Sequence, residues 1–134
     1  MAKTFMQMAS DAMDEVPSLS PAEAHRRLRE DPNAVLVDVR DLSRIRATGM
    51  AASAAPISAG TLPLRADQEL PEEFRDPRLQ DRSRTVMTIC DAGPMSAISA
   101  KTLKEMGFTD VAYVEGGTQA WKDAGLPTEE PRDQ

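Results

Sequence analysis

A single thiol, Cys90, heads the stretch Cys90-Asp91-Ala92-Gly93-Pro94-Met95-Ser96, between an apolar run and a helical pattern. Thr85-Val86-Met87-Thr88-Ile89 is β-prone and apolar enough for a buried strand, while Ala97, Ala100, Leu103 and Met106 recur at helical spacing after Ser96. The thiol therefore falls at a strand-to-helix turn. In an open α/β sheet such turns line the carboxyl edge, where backbone N–H groups converge on an anion at a helix N-terminus. The same field favours thiolate, the nucleophilic form of sulfur. Gly93 permits the positive φ of a tight loop, and Pro94 stiffens the helix start. A small buried core residue is the plainer reading of Cys90, but its place after a strand and before Gly93 favours a reactive one.

The elements that hold this loop can be read in chain order. Phe5, Met8, Ala9, Ala12 and Met13 share a helical face, so residues 1–15 read as a helical extension covering the core. Residues 16–19 read as a brief edge strand. Ser20, Pro21 and Glu23 then give an N-cap, a first-turn proline and a capping-box glutamate for a helix reaching Glu30. Asp31-Pro32-Asn33 breaks it. Ala34-Val35-Leu36-Val37-Asp38-Val39 follows as a strand buried on both faces, which makes strand, helix and strand a right-handed βαβ unit. Asp38 interrupts that apolar run, and a buried carboxylate needs a partner; Arg40 is the nearest, and a structural role is favoured for the pair.

A short helix through Leu42, Ile45 and Arg46 ends at Gly49, and residues 51–57 read as one short strand stopped by Pro56 and Gly60. Residues 61–84 read as loop and short helix anchored by Leu62, Leu64, Leu70, Phe74 and Leu79. Two readings stay open for them: an overhang that selects substrates, or a surface excursion. Gly107 caps the helix after Cys90, residues 111–114 form the last strand, and Glu115-Gly116-Gly117 is a second strand-to-helix turn. Ala120, Trp121 and Ala124 face the core from a final helix that stops near Gly125-Leu126-Pro127. Residues 128–134 read as a frayed polar tail, leaving residues 16–127 as the single domain.

With 40% hydrophobic and 28% charged residues the balance is that of a globular domain. No apolar run nears the roughly 18 residues of a membrane span. The N-terminus lacks the apolar region of a signal peptide, so a cytoplasmic location is expected. One cysteine allows neither an intrachain disulfide nor a cysteine-based zinc cluster, and it fits a reducing compartment. A net charge of −6 argues against a nucleic-acid partner; Arg26, Arg27 and Arg29 read as one solvated helix face. His25, mid-helix among arginines, is expected to be exposed and apart from the thiol.

These residues together resemble the rhodanese, or sulfurtransferase, family in its single-domain form, over residues 16–127. Val37-Asp38-Val39-Arg40 is similar to the family's D-V-R strand end, and Cys90 to Ser96 to its C-x-x-G-x-R-S loop. Leu103-Lys104-Glu105-Met106-Gly107-Phe108, Val111, Glu115-Gly116-Gly117 and Ala120-Trp121 match its closing positions. The resemblance implies an α/β three-layer fold, a central parallel five-stranded sheet with helices on both faces. It further implies a Cys90 that carries sulfur as a persulfide, taken from a donor such as thiosulfate and given to a thiol, to cyanide or to a protein acceptor. No metal, organic cofactor or membrane is implied.

By this resemblance the loop residues Asp91, Ala92, Gly93, Pro94, Met95 and Ser96 hold the persulfide and the donor anion, with a hydrogen bond from the Ser96 hydroxyl. Asp38, Arg40, Gly116 and Gly117 support the edge of the site. Three departures stand out. Met95 replaces the arginine before the loop serine, Asp91 adds negative charge beside the thiol, and Gly49-Met50-Ala51-Ala52-Ser53-Ala54 keeps only the ends of the family's G-H-I-P-G-A segment. Both charge changes disfavour anionic donors, so a rhodanese-like binding or regulatory module with weak catalysis is the alternative. A cysteine phosphatase needs an arginine six residues after its nucleophile; Ser96 stands there.

Overall fold

A computed structural model describes residues 2–131. In chain order it contains helix α1 (Phe5–Glu15), strand β1 (Ser18–Leu19), α2 (Pro21–Glu30), β2 (Val35–Asp38), α3 (Leu42–Thr48), β3 (Met50–Ala51) and β4 (Ala55–Pro56). After α4 (Leu62–Ala66) and two 3-10 turns, Glu72–Phe74 and Pro77–Leu79, come β5 (Val86–Ile89), α5 (Pro94–Glu105), β6 (Val111–Val114), α6 (Gly117–Asp123) and β7 (Thr128–Glu129). The strands β1-β6-β5-β2-β4, in that order and all parallel, make the five-stranded sheet. Thus β1 and β2 bracket a helix, but β6 and β5 lie between them.

Alternation along the central strands divides the core. Val35, Val37 and Val86 face one side, where they pack with Ala100 and Leu103 of α5 and Leu62 of α4. Leu36, Met87 and Ile89 face the other, against Ala24 of α2, Ile45 of α3 and Trp121 of α6. Such two-sided burial is what a parallel sheet requires. It explains why β2 and β5 read as nearly unbroken apolar runs.

The capping box of α2 forms as expected, Ser20 Oγ accepting from Glu23 N and Glu23 from Ser20 N. Elsewhere the structure corrects the expectation. Residues 51–57 are not one strand: β3 and β4 are separated by a turn with Ser53 at φ 71°. The cause is β3's departure from the main sheet to pair antiparallel with β7, Met50 opposite Glu129 and Ala51 opposite Thr128. That pairing also overturns the frayed tail at Thr128 and Glu129; residues 132–134 lie outside the described residues. In α1 the buried positions are Ala9 and Ala12, while Phe5 and Met8 stand 52% and 48% exposed. Two alanines let α1 approach α5 closely, and the larger side chains on the same turns then project past the contact. Ala124 is the C-cap of α6 and exposed, whereas Trp121 is fully buried. His25, expected in solvent, is half-buried, its ring edge-on to Trp121 at 5.7 Å between centroids.

Candidate functional site

Cys90 follows directly on β5, whose last residue Ile89 pairs with Asp38 of β2, so the thiol stands at the carboxyl edge mid-sheet. Gly93 takes φ 121° and turns the chain into α5 with Pro94 in its first turn. That reversal aims two amides at one atom: Gly93 N and Ser96 N donate to Cys90 Sγ at 3.1 and 3.3 Å. The sulfur also lies at the start of a twelve-residue helix, where the field favours negative charge. Cys90 itself is only 2% exposed. Ala92 is the exposed crest of the loop.

The Ser96 hydroxyl does not face the sulfur. It donates to Gly93 O at 2.8 Å, closing the loop on itself, and Thr88 Oγ1 donates to Ser96 O at 2.7 Å, tying β5 to α5. Met95 is partly buried against the core on the α5 side of the sheet.

The second turn closes over the first. Gly116 and Gly117 have φ of 71° and 59°, and a Cβ on Gly117 would fall 2.5 Å from Cys90 O and from the Asp91 backbone. Only glycine allows this approach. Through it Thr118 N donates to Cys90 O at 2.8 Å and Gln119 N to Asp91 O at 3.2 Å. Both carbonyls of the nucleophile's turn are thereby fixed by α6.

Asp38 is fully buried and Arg40 2% exposed. The guanidinium forks the carboxylate, Nε to Oδ1 at 2.9 Å and Nη2 to Oδ2 at 2.6 Å. Burial opposes the charge of Arg40, but its bonds to Asp38 and then Asp91 outweigh that and hold the group more firmly protonated. Arg40 further donates to Thr48 Oγ1, Gly49 O and Asp91 Oδ1. Arg44 Nε donates to both Asp91 oxygens at 3.2 Å. The Asp91 charge, expected to oppose the thiolate, is thus drawn away from the sulfur by two guanidinium groups. Neither Arg44 nor Thr48 was marked by sequence reasoning; Arg44 is one of several arginines on exposed helix turns, and no local pattern distinguishes it.

Beyond Arg40, part of residues 61–84, namely Thr61, Arg65 and Arg75 to Arg78, borders the carboxyl edge. With the ends of β2 and β4 they enclose a cleft of about 550 Å³. The Cys90 loop and this cleft meet at Arg40.

A family model for the rhodanese-like domain matches residues 20–124. The chain belongs to the rhodanese-like family. A protein of unknown function from Rhodopseudomonas palustris, described as a possible tyrosine phosphatase, is 30% identical with a TM-score of 0.87, over 96% of each chain. The polysulfide-sulfur transferase homodimer of Wolinella succinogenes is also 30% identical, with a TM-score of 0.74 over 97% of this chain and 90% of that one. A thiosulfate sulfurtransferase from Pseudomonas aeruginosa shares the fold at 21% identity, with a TM-score of 0.75 over 100% of this chain and 25% of that one. The chain thus has the general fold of the sulfurtransferases. Within this rhodanese-like frame, residues 90–93 join β5 to α5.

Proposed function

We propose that this rhodanese-like protein is a sulfurtransferase whose Cys90 thiolate takes sulfane sulfur from a donor and passes it to a nucleophilic acceptor. The observation that carries this reading is the convergence of Gly93 N and Ser96 N on Cys90 Sγ. With thiosulfate, the thiolate attacks the outer sulfur, a new S–S bond forms, and the old one breaks to release sulfite. Cys90 is left as a persulfide anion. Cyanide or a thiolate then takes the terminal sulfur, regenerating the Cys90 thiolate and giving thiocyanate or a new persulfide. The two amides stabilise the charge on Cys90 Sγ before attack and again once the outer sulfur has left, and the α6 amides on Cys90 O and Asp91 O keep the turn from opening.

With 2% exposure, Cys90 admits only a donor whose sulfur projects into the loop. Small sulfur donors and thiol, cyanide or protein acceptors fit that demand. The lone thiol suits the cytoplasm. Among the described residues no helix is long and apolar enough to cross a membrane. The −6 charge disfavours nucleic acid.

The burial of Cys90, together with Met95 where the family has a cation, favours one second reading, a binding or regulatory module with weak catalysis. Thiocyanate formation from cyanide, with thiosulfate, mercaptopyruvate or glutathione persulfide as donor, separates the two. Turnover lost in Cys90→Ser is the expected result. No turnover with any donor, by folded protein with a titratable thiol, favours the module.

A further inference from the structure

We propose that the cleft on the far side of Arg40 is an oxyanion pocket for the carboxylate of an organic thiol or persulfide; its role as a substrate subsite rests on the sulfur-transfer reading above. The chain carries a net −6, yet the ionic side chains lining the cleft are four arginines, Arg40, Arg65, Arg75 and Arg78, against two aspartates, Asp41 and Asp76. Cations thus outnumber anions among the lining side chains themselves, which favours an anion there.

Two of the four arginines are already occupied. Arg40 is bound to Asp38 and Asp91, and Arg78 grips Asp76 through Nε at 3.0 Å and Nη2 at 2.7 Å. Among the described residues, Arg65 and Arg75 have no such carboxylate fork. Arg65 Nη1 donates to Phe74 O at 3.1 Å, with Asp76 within electrostatic reach. Arg75 has Asp67 within electrostatic reach. Its Nε is buried without a hydrogen-bond partner among the described residues, so no bond within them fixes this nitrogen.

The apolar walls identify the rest of the ligand. Leu42, Pro56, Ile57 and Pro77 also line the cleft, and about 550 Å³ is far more room than a bare inorganic anion fills. A carboxylate on Arg65 and Arg75, with a carbon body against these residues, matches both halves of the lining. Arg40 both borders this cleft and bonds Asp91 of the Cys90 loop.

The test uses the full-length Cys90→Ser protein, so that no sulfur chemistry contributes, titrated calorimetrically with glutathione and with glutathione diethyl ester. Glutathione is expected to bind, the ester roughly tenfold more weakly, and Arg75→Gln or Arg65→Gln to weaken glutathione by a similar factor. Arg75 Nε has no bond to lose, so Arg75→Gln keeps the fold, which its amide NMR spectrum verifies. Equal affinity for acid and ester, affinity unchanged in both arginine variants, or no binding of glutathione would each overturn the pocket. Persulfide formation from thiosulfate by the protein with Cys90 intact is scored separately. Its absence alongside intact glutathione binding defeats sulfur transfer and leaves the pocket standing, and the converse result defeats only the pocket.

Discussion

The Cys90 loop and the arginine cleft meet at Arg40 and are built in opposite ways. The loop is a main-chain device: amides of Gly93 and Ser96 face the sulfur, amides of Thr118 and Gln119 hold the carbonyls behind it, and positive-φ glycines make both turns possible. The cleft is a side-chain device, made of arginines, a 3-10 turn and the Asp76–Arg78 pair. A main-chain site tolerates exchange of its side chains, and the bonds to the sulfur come from the Gly93 and Ser96 amides rather than from the Met95 side chain. A side-chain site changes its preference with each substitution. Under the proposed function, chemistry and selectivity fall to separate kinds of structure.

The harshest break of both regions at once is Arg40→Ala. It leaves the Asp38 carboxylate buried without its cation and frees Asp91, and a loss of about 3–5 kcal/mol in urea unfolding is expected. A loss near zero would mean that Arg40 does not join the two regions.

Gly117→Ala strikes the loop alone. The added Cβ meets Cys90 O at 2.5 Å in a backbone of φ 59°, so about 1–3 kcal/mol of stability and most sulfur loading should go, while glutathione binding in the cleft persists. Unfolding and titration of the same sample read both effects.

Met95→Arg sharpens the contrast from the other direction by returning a cation to the loop. A rise of roughly tenfold in the rate with thiosulfate, and little change with an uncharged donor, is expected from stopped assays. An unchanged thiosulfate rate would show that the main-chain donors already saturate the anion's needs.

The smallest effect is acid loosening of the cleft wall. Burial works against the Asp76 carboxylate, but its bonds from Arg78 outweigh this and hold the group below 3.8. A depressed folded-state value means that the contribution is complete above the unfolded value and fades as pH falls through the folded one. Hydrogen-exchange protection in residues 72–80 should therefore drop before that in residues 90–96 as pH is lowered from about 5 to 2. Simultaneous loss would contradict a separately held wall.

The same division explains what could be read from the chain. The buried runs of β2 and β5, the Ser20–Glu23 capping box and the glycine turn after Cys90 are local patterns, and each formed where it was expected. Asp38 and Arg40 are two residues apart, and their pairing was legible for that reason. The β3–β7 pairing joins residues nearly 80 positions apart through two-residue strands, too short to carry a period. Capture of Asp91 by Arg44 is equally non-local, and no local pattern announces it. The cleft gathers Arg65 and Arg75 from a segment without periodic pattern, so only the fold reveals that they share a wall.

The central claim, sulfur carried on Cys90, is tested most directly by intact mass spectrometry after incubation with thiosulfate, mercaptopyruvate or glutathione persulfide, then cyanide, with Cys90→Ser as control. One added sulfur that cyanide removes and the variant never acquires is the predicted result. An unmodified Cys90 after every donor, in folded protein, would contradict it.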